Sequence, residues 1–389
     1  MTHPLAAPRP RLSRRAATLS GSSLTELFVL ARARGAIDLA VGTPGYPEPT
    51  AELIGEATGA MEAGHNQYEL PAGDALLRQY IADTLNAPTD SDTELTVTAG
   101  ATEALCVALL ATVDPGDEVI VLTPGYEQFS AAVGLAGAVP RFVPLHAPDW
   151  RYDPAELAAA FGPRTRAIIL NTPGNPTGRV LTHEELTEIA ELCARWDVTV
   201  ISDEVYSTFV FDGRRHISAA DVPGLAERSV VVGSLSKSHA VSGWRLGFLR
   251  ADAERTQALR RVHELTTNGT AAPLQVAAGR AAMASDLAEA AREMEARRDL
   301  AHNVFARTGM KFSPAEGGCF LFADISPLTG GERDCTGFVR DLLDRAGVLL
   351  VPGASFFSDP ARGEQYVRIA FNRRAETLHE AEQRIAAAS

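Results

Sequence analysis

Residues 198–206 read Val198-Thr199-Val200-Ile201-Ser202-Asp203-Glu204-Val205-Tyr206. The run Val198–Ser202 is β-rich and of continuous apolar character, as in a strand buried on both faces. A polar cluster, Asp203-Glu-Val-Tyr206, follows at once. The same pairing recurs on either side of this stretch. Glu94–Thr98 leads to Ala99-Gly-Ala-Thr102, Glu118–Leu122 to Thr123-Pro-Gly-Tyr126, Ala167–Leu170 to Asn171-Thr-Pro-Gly-Asn175, and Val230–Gly233 to Ser234-Leu-Ser-Lys237. Helical stretches such as Thr102–Thr112 and His183–Trp196 lie between them. Strands alternating with helices predict a mainly parallel sheet covered on both faces. Ligands of such sheets bind beyond the carboxyl ends of the strands, where all five polar clusters fall.

Beyond Pro273 a long helical stretch runs to about Thr308. It leads to an α+β region with strand-like runs at Cys319–Asp324, Val348–Val351 and Tyr366–Ala370. The expected organisation is an N-terminal arm and part of a small domain over 1–45, a large domain over 46–284, and a small C-terminal domain over 285–389.

Composition narrows the function. A net charge of −13 argues against a nucleic-acid footprint or an anionic membrane surface. No apolar stretch approaches the roughly 18 residues a spanning helix needs. Cys106, Cys193, Cys319 and Cys335 lie far apart with no CxxC spacing, so neither a zinc site nor a disulfide framework is expected, and a reducing cytoplasm is. The first acidic residue is Glu26. We read the segment ahead of it, rich in arginine and serine, as a solvated arm rather than a transit peptide. Of 36 basic residues only Lys237 and Lys311 are lysines. Arginine stays protonated, whereas a lysine amine can be lowered in pKa and act as a nucleophile. A lysine kept where arginine serves elsewhere is a candidate for its amine.

Ser234-Leu-Ser-Lys237 with Gly243-Trp-Arg245-Leu-Gly247 resembles the lysine motif of class I/II aminotransferases, enzymes of the pyridoxal 5′-phosphate (PLP)-dependent transferase fold type I. The resemblance runs from about Ile37 to the C-terminus. It implies an α/β fold with a mainly parallel, seven-stranded-type sheet between helices and a smaller α+β domain. It implies that Lys237 carries PLP as a Schiff base and moves the proton at the substrate Cα, with Ser234 and Arg245 on the cofactor phosphate. Gly100-Ala101-Thr102, between a strand and a helix, would bind the same phosphate through a helix N-terminus and the Thr102 hydroxyl. Asp203 would pair with the pyridine nitrogen, Tyr206 and Asn175 with the 3′ oxygen, and Tyr126 would stack on the ring. Tyr68, in Asn66-Gln-Tyr68, resembles the tyrosine that reaches a neighbouring subunit's phosphate, which implies a homodimer with shared active sites. Arg368, in Tyr366-Val-Arg368-Ile369, would hold the substrate α-carboxylate through two parallel hydrogen bonds, with Asn175 and the Gly42 backbone beside it. No metal is expected.

The nearest likeness, through Thr98-Ala-Gly-Ala-Thr-Glu-Ala104 and Asn66-Gln-Tyr68, is to kynurenine, glutamine and methionine aminotransferases. The substrate side departs from the family pattern. Gly42-Thr-Pro-Gly-Tyr46 replaces the frequent Gly-x-Pro-Asp-Phe, and Gly21-Ser-Ser-Leu24 and Thr266-Thr-Asn-Gly-Thr270 are unusual. Arg14, Arg15, Arg32 and Arg34 are candidates for a distal carboxylate by proximity alone. The expected function is transamination between a neutral amino acid (apolar, aromatic or amide) and a 2-oxo acid. The alternative is elimination or replacement at Cγ of S-adenosylmethionine or a similar substrate, in specialised biosynthesis. A PLP-sensing transcription regulator would need a basic winged-helix domain, and the segment ahead of Ile37 is too short for one.

Overall fold

The computed structural model describes residues 13, 23–43, 45, 48–313, 315–332 and 334–388. Most of the expected arm, with Arg14, Arg15, Gly21 and Ser22, lies outside them, as do Pro44 and Tyr46.

The strands are β1 (Ile37–Asp38), β2 (Leu95–Ala99), β3 (Glu118–Thr123), β4 (Val139–His146), β5 (Arg151–Tyr152), β6 (Thr165–Asn171), β7 (Thr199–Asp203), β8 (Ser229–Ser234), β9 (Leu246–Arg250), β10 (Phe320–Asp324), β11 (Val348–Leu349), β12 (Val351–Pro352) and β13 (Tyr366–Ala370). The large sheet has the order β2-β9-β8-β7-β6-β3-β4-β5. Pairing is parallel from β8 through β7, β6 and β3 to β4. β9 runs against both β2 and β8, and β5 against β4. Seven strands carry the sheet, and the two-residue β5 adds an eighth at one edge.

Side-chain alternation sorts these strands into two cores. Val119, Val121, Ile169, Ile201, Val230 and Val232 pack with Ala104, Val107, Ala108 and Leu109 of the helix Gly100–Thr112. Ile120, Ile168, Leu170 and Val200 face the other way, onto Leu186, Ile189 and Cys193 of the helix His183–Trp196. A strand covered on both faces needs apolar residues at successive positions, which is why these strands read as unbroken runs. The helix His183–Trp196 starts at a capping box, Thr182 with Glu185.

The long helical stretch after Pro273 is two helices, Ala272–Ala281 and Leu287–Arg307. A short 3₁₀ turn, Ala282–Ala284, separates them, and the Asp286 carboxylate caps the second by accepting from the Glu289 amide. A further core joins Leu27, Ala31, Leu39 and Ala40 to Phe320, Phe322, Val348, Ile369 and Leu378. There β1 pairs in parallel with β11, and β13 lies between β10 and β12. Among the described residues no helix is long and apolar enough to cross a membrane.

Candidate active site

The carboxyl ends of β2, β3, β6, β7 and β8 open on one edge of the large sheet. Because β9 is antiparallel, its amino end and Arg245 reach the same edge. A cavity of about 550 Å³ lies there. Its wall includes Gly42, Ala101, Thr102, Tyr126, Asn175, Asp203, Tyr206, Ser234, Lys237, Arg245 and Arg368. These are eleven of the thirteen residues singled out from the sequence. Gly100 adjoins Ala101, and Tyr68, 92% exposed, stands outside the cavity.

One end of the cavity is built for an anion. Gly100 opens the helix Gly100–Thr112 at φ +78°, and a Cβ there would run into the Arg245 guanidinium. Gly247 lies so close to this turn that a Cβ would stand 2.6 Å from the Ala101 nitrogen. The Arg245 side chain donates to the Ser242 carbonyl at 3.0 Å. Ser234 caps the helix Leu235–Ser238, accepting from the Ser236 amide and donating to the Leu246 carbonyl, each at 3.0 Å. Helix N-termini, two serines and a guanidinium thus converge on one place. Ser236, which also lines the cavity, escaped the sequence reading. Its signal was the second serine of Ser-Leu-Ser-Lys. Beneath the turn Glu103 accepts from the Ala99 amide at 2.5 Å, from His263 at 2.8 Å and from the Thr266 and Thr267 hydroxyls, so it anchors part of the Thr266–Thr270 segment.

Two neighbouring carboxylates at the end of β7 differ sharply. Glu204 is satisfied by Ser202 at 2.8 Å, His216 at 2.9 Å, and Ser218 and the Ala219 amide at 3.0 Å. The Asp203 carboxylate is buried, accepts from the Val205 amide at 3.2 Å, and has no cation within ion-pair distance among the described residues. Burial pushes its pKa up to about 7. A buried carboxylate in this condition wants a cation or a proton. Burial also holds the Tyr206 phenol well above its usual range.

Lys237 donates from Nζ to the Gly42 carbonyl at 2.8 Å. Burial lowers its pKa, and the Arg368, Arg245 and Arg373 guanidiniums act in the same direction. Facing it, Arg368 donates from Nη2 to the Ala40 carbonyl at 2.7 Å and from Nη1 to Asn175 Oδ1 at 2.9 Å. Its guanidinium lies 4.1 Å from the Phe320 ring centroid and 4.8 Å from that of Phe356. Among the described residues no carboxylate comes within 4 Å of it, and its Nε is buried without a partner. Arg373, which the sequence reading missed, ties down the 38–43 segment through the carbonyls of Asp38, Val41 and Thr43.

One cleft thus brings together helix N-termini with a guanidinium that can hold an anion, a buried carboxylate without a cation among the described residues, an amine of lowered pKa, and a second guanidinium that can take a carboxylate. The class I and II aminotransferase family model matches residues 34–385, and the chain belongs to that family. It is 37% identical over 378 residues to the probable N-succinyldiaminopimelate aminotransferase DapC of Mycobacterium tuberculosis (strain CDC 1551 / Oshkosh), covering 92% of this chain and 94% of that one. It is 32% identical over 379 residues to the methionine aminotransferase of Escherichia coli (strain K12), covering 94% and 96%. The solved structure of N-succinyldiaminopimelate aminotransferase from Mycobacterium tuberculosis superposes with a TM-score of 0.92 at 34% identity, covering 97% of this chain and 100% of that one. The protein is a PLP-dependent aminotransferase acting on an amino acid and a 2-oxo acid, and these relatives do not favour chemistry at Cγ. The cavity fits the cofactor. Among the described residues Asp203 lacks a cation of its own, and the absence of a side chain at Gly100 lets the Arg245 guanidinium lie against the start of the helix Gly100–Thr112.

Proposed function

We propose that the chain transaminates a neutral amino acid with a sizeable apolar, aromatic or amide side chain. The observation that carries this reading is the inventory of cations in the cavity wall. Among the described residues they are Lys237, Arg245 and Arg368. Arg245 belongs to the phosphate turn and Lys237 to the chemistry. Arg368 is left for the α-carboxylate, and among the described residues no cation of the wall remains for a distal one. Arg34 is paired with Asp344 instead.

PLP, when bound, supplies the electron sink that makes the substrate Cα–H bond acidic. In our assignment Lys237 Nζ takes the proton from Cα and returns it, a role that suits an amine of lowered pKa. Asp203 provides the negative charge for a ring cation, and Tyr206 and Asn175 hydrogen-bond the ring hydroxyl position. Thr102, Ala101, Gly100, Ser234 and Arg245 hold the phosphate, and Tyr126 covers the ring. Arg368, gripped by Ala40 and Asn175, orients the substrate. Tyr68 and the Thr266–Thr270 segment are assigned to a second copy in a cytoplasmic homodimer, and the domain boundaries are placed after residues 45 and 284.

The test is a half-reaction without 2-oxo acid. Methionine, glutamine or phenylalanine should bleach the visible absorbance of the bound cofactor. A clear preference for N-succinyldiaminopimelate, the substrate in the name of the mycobacterial relative, would overturn the reading. So would release of methylthioadenosine from S-adenosylmethionine while the neutral amino acids leave the absorbance unchanged.

A further inference from the structure

Among the described residues two carboxylates line the cavity, Asp203 and Glu127. The assignment above uses Asp203 and all three cations. Among the described residues Glu127 is the one charged side chain of the wall left without a role.

Its environment is unusual for a structural glutamate. It follows Tyr126 directly and stands at the N-cap of the helix Gln128–Leu135, but its side chain makes no capping hydrogen bond. Oε2 is buried with no hydrogen-bond partner among the described residues. No arginine, lysine or histidine lies within ion-pair distance of it among them. The positive end of the helix dipole eases the burial of a negative charge there, and the Arg368 guanidinium feels that charge from across the cavity. Arg368 is nonetheless held away from it by Ala40 and Asn175 and flanked by the Phe320 and Phe356 rings. The wall also includes the uncharged Thr25, Phe28, Val41 and Gln128. A buried acceptor that the protein leaves unpartnered costs stability, and a ligand donor can recover that cost.

We propose that Glu127 is a specificity residue that accepts a hydrogen bond from an amide N–H on the substrate side chain and repels a distal carboxylate. This rests on the neutral-substrate reading and sharpens it. It separates glutamine from methionine, which have similar length, and glutamine from glutamate, which have the same shape. A hydrogen bond to a charged acceptor corresponds to about ten- to a hundredfold in affinity.

The experiment compares half-reaction rate constants over dissociation constants for glutamine, lysine, methionine and glutamate, in wild type, Glu127→Gln and Glu127→Asp. Binding of the non-reacting α-methyl analogues of glutamine and methionine, followed by the cofactor spectrum, gives a readout free of turnover. In wild type, glutamine should exceed methionine by about tenfold or more, and lysine ahead of glutamine would overturn both the proposal and the neutral-substrate reading. In Glu127→Gln that advantage should shrink to about threefold or less and glutamate should gain about tenfold, from the lost repulsion. Glu127→Asp should keep the direction of both preferences. If neutral substrates lead but Glu127→Gln shifts their ratios less than about twofold, Glu127 has no such role while the neutral-substrate reading stands. If glutamate leads in wild type, both fall.

Discussion

Arg368 Nη1 donates to Asn175 Oδ1 at 2.9 Å, joining residues 193 positions apart in the chain. Arg368 sits on β13 of the small sheet, and Asn175 follows β6 of the large one. The bond sets the buried guanidinium between the two sheets, and Ala40 fixes its other arm. An arginine held this way keeps its plane, which two-point binding of a carboxylate requires. Arg368→Lys retains charge and loses the fork. It should raise KM for the amino acid by about ten- to a hundredfold with a smaller change in kcat. An unchanged KM would remove Arg368 from the substrate site.

Lys237 should be the sole point of covalent attachment of the cofactor. Borohydride reduction followed by peptide mapping should label the peptide that contains it. Label on Lys311 would defeat the assignment. Lys237→Ala should still bind PLP, more weakly, and turn over negligibly.

Asp203→Asn should bind the cofactor yet lose orders of magnitude in rate, because a neutral amide cannot balance a ring cation. Turnover near wild type would show that the ring nitrogen needs no such partner here.

The same residue sets a pH dependence in the cofactor-free protein. Burial raises the Asp203 carboxyl from 3.8 to about 7. An acid raised by folding favours the folded state at low pH and loses that contribution as pH climbs through the folded value. Thermal stability should therefore decline between about pH 4 and pH 7 through this group, and Asp203→Asn should flatten the decline. A slope in that window identical in the two proteins would show that Asp203 is already balanced by another group.

Gly100→Ala should weaken PLP binding by about tenfold or more. The substitution forces a side chain to φ +78° and against the Arg245 guanidinium. The left-handed backbone alone costs about 1–2 kcal/mol. Unaltered affinity, measured by equilibrium dialysis, would show that the phosphate does not use this turn.

Much of this site was legible because buried parallel strands leave unbroken apolar runs, so the polar clusters at their ends stand out. The helix His183–Trp196 and the strand Tyr366–Ala370 came out residue for residue. β4 did not. Val139-Pro-Arg-Phe-Val-Pro-Leu-His146 holds two prolines and only Val143 is fully buried, so it offers neither an apolar run nor clean alternation. β9 starts inside the lysine motif directly after Arg245 and has a glycine as its second residue, so no long apolar run marks it. The break near Ser285 was masked by good helix formers on both sides, and its cause, the Asp286 cap, is one residue. Glu127 carried no pattern at all. A glutamate after a tyrosine acquires meaning from the missing partner around it, and that is a property of three dimensions.

The position of β2 has a consequence for how the chain is made. Within the large sheet β2 has a single neighbour, β9, and the two are joined from Leu95↔Arg250 to Ala99↔Leu246. At translation speeds of about 5–20 residues per second, β9 leaves the ribosome roughly 8–30 s after β2. Until then the nascent β2 has no ladder to join, and the Gly100 turn has no Arg245 beside it. The large sheet therefore cannot present a complete cofactor site as its first strands emerge. Vitamin loading has to wait for the last strand of this sheet to be synthesised.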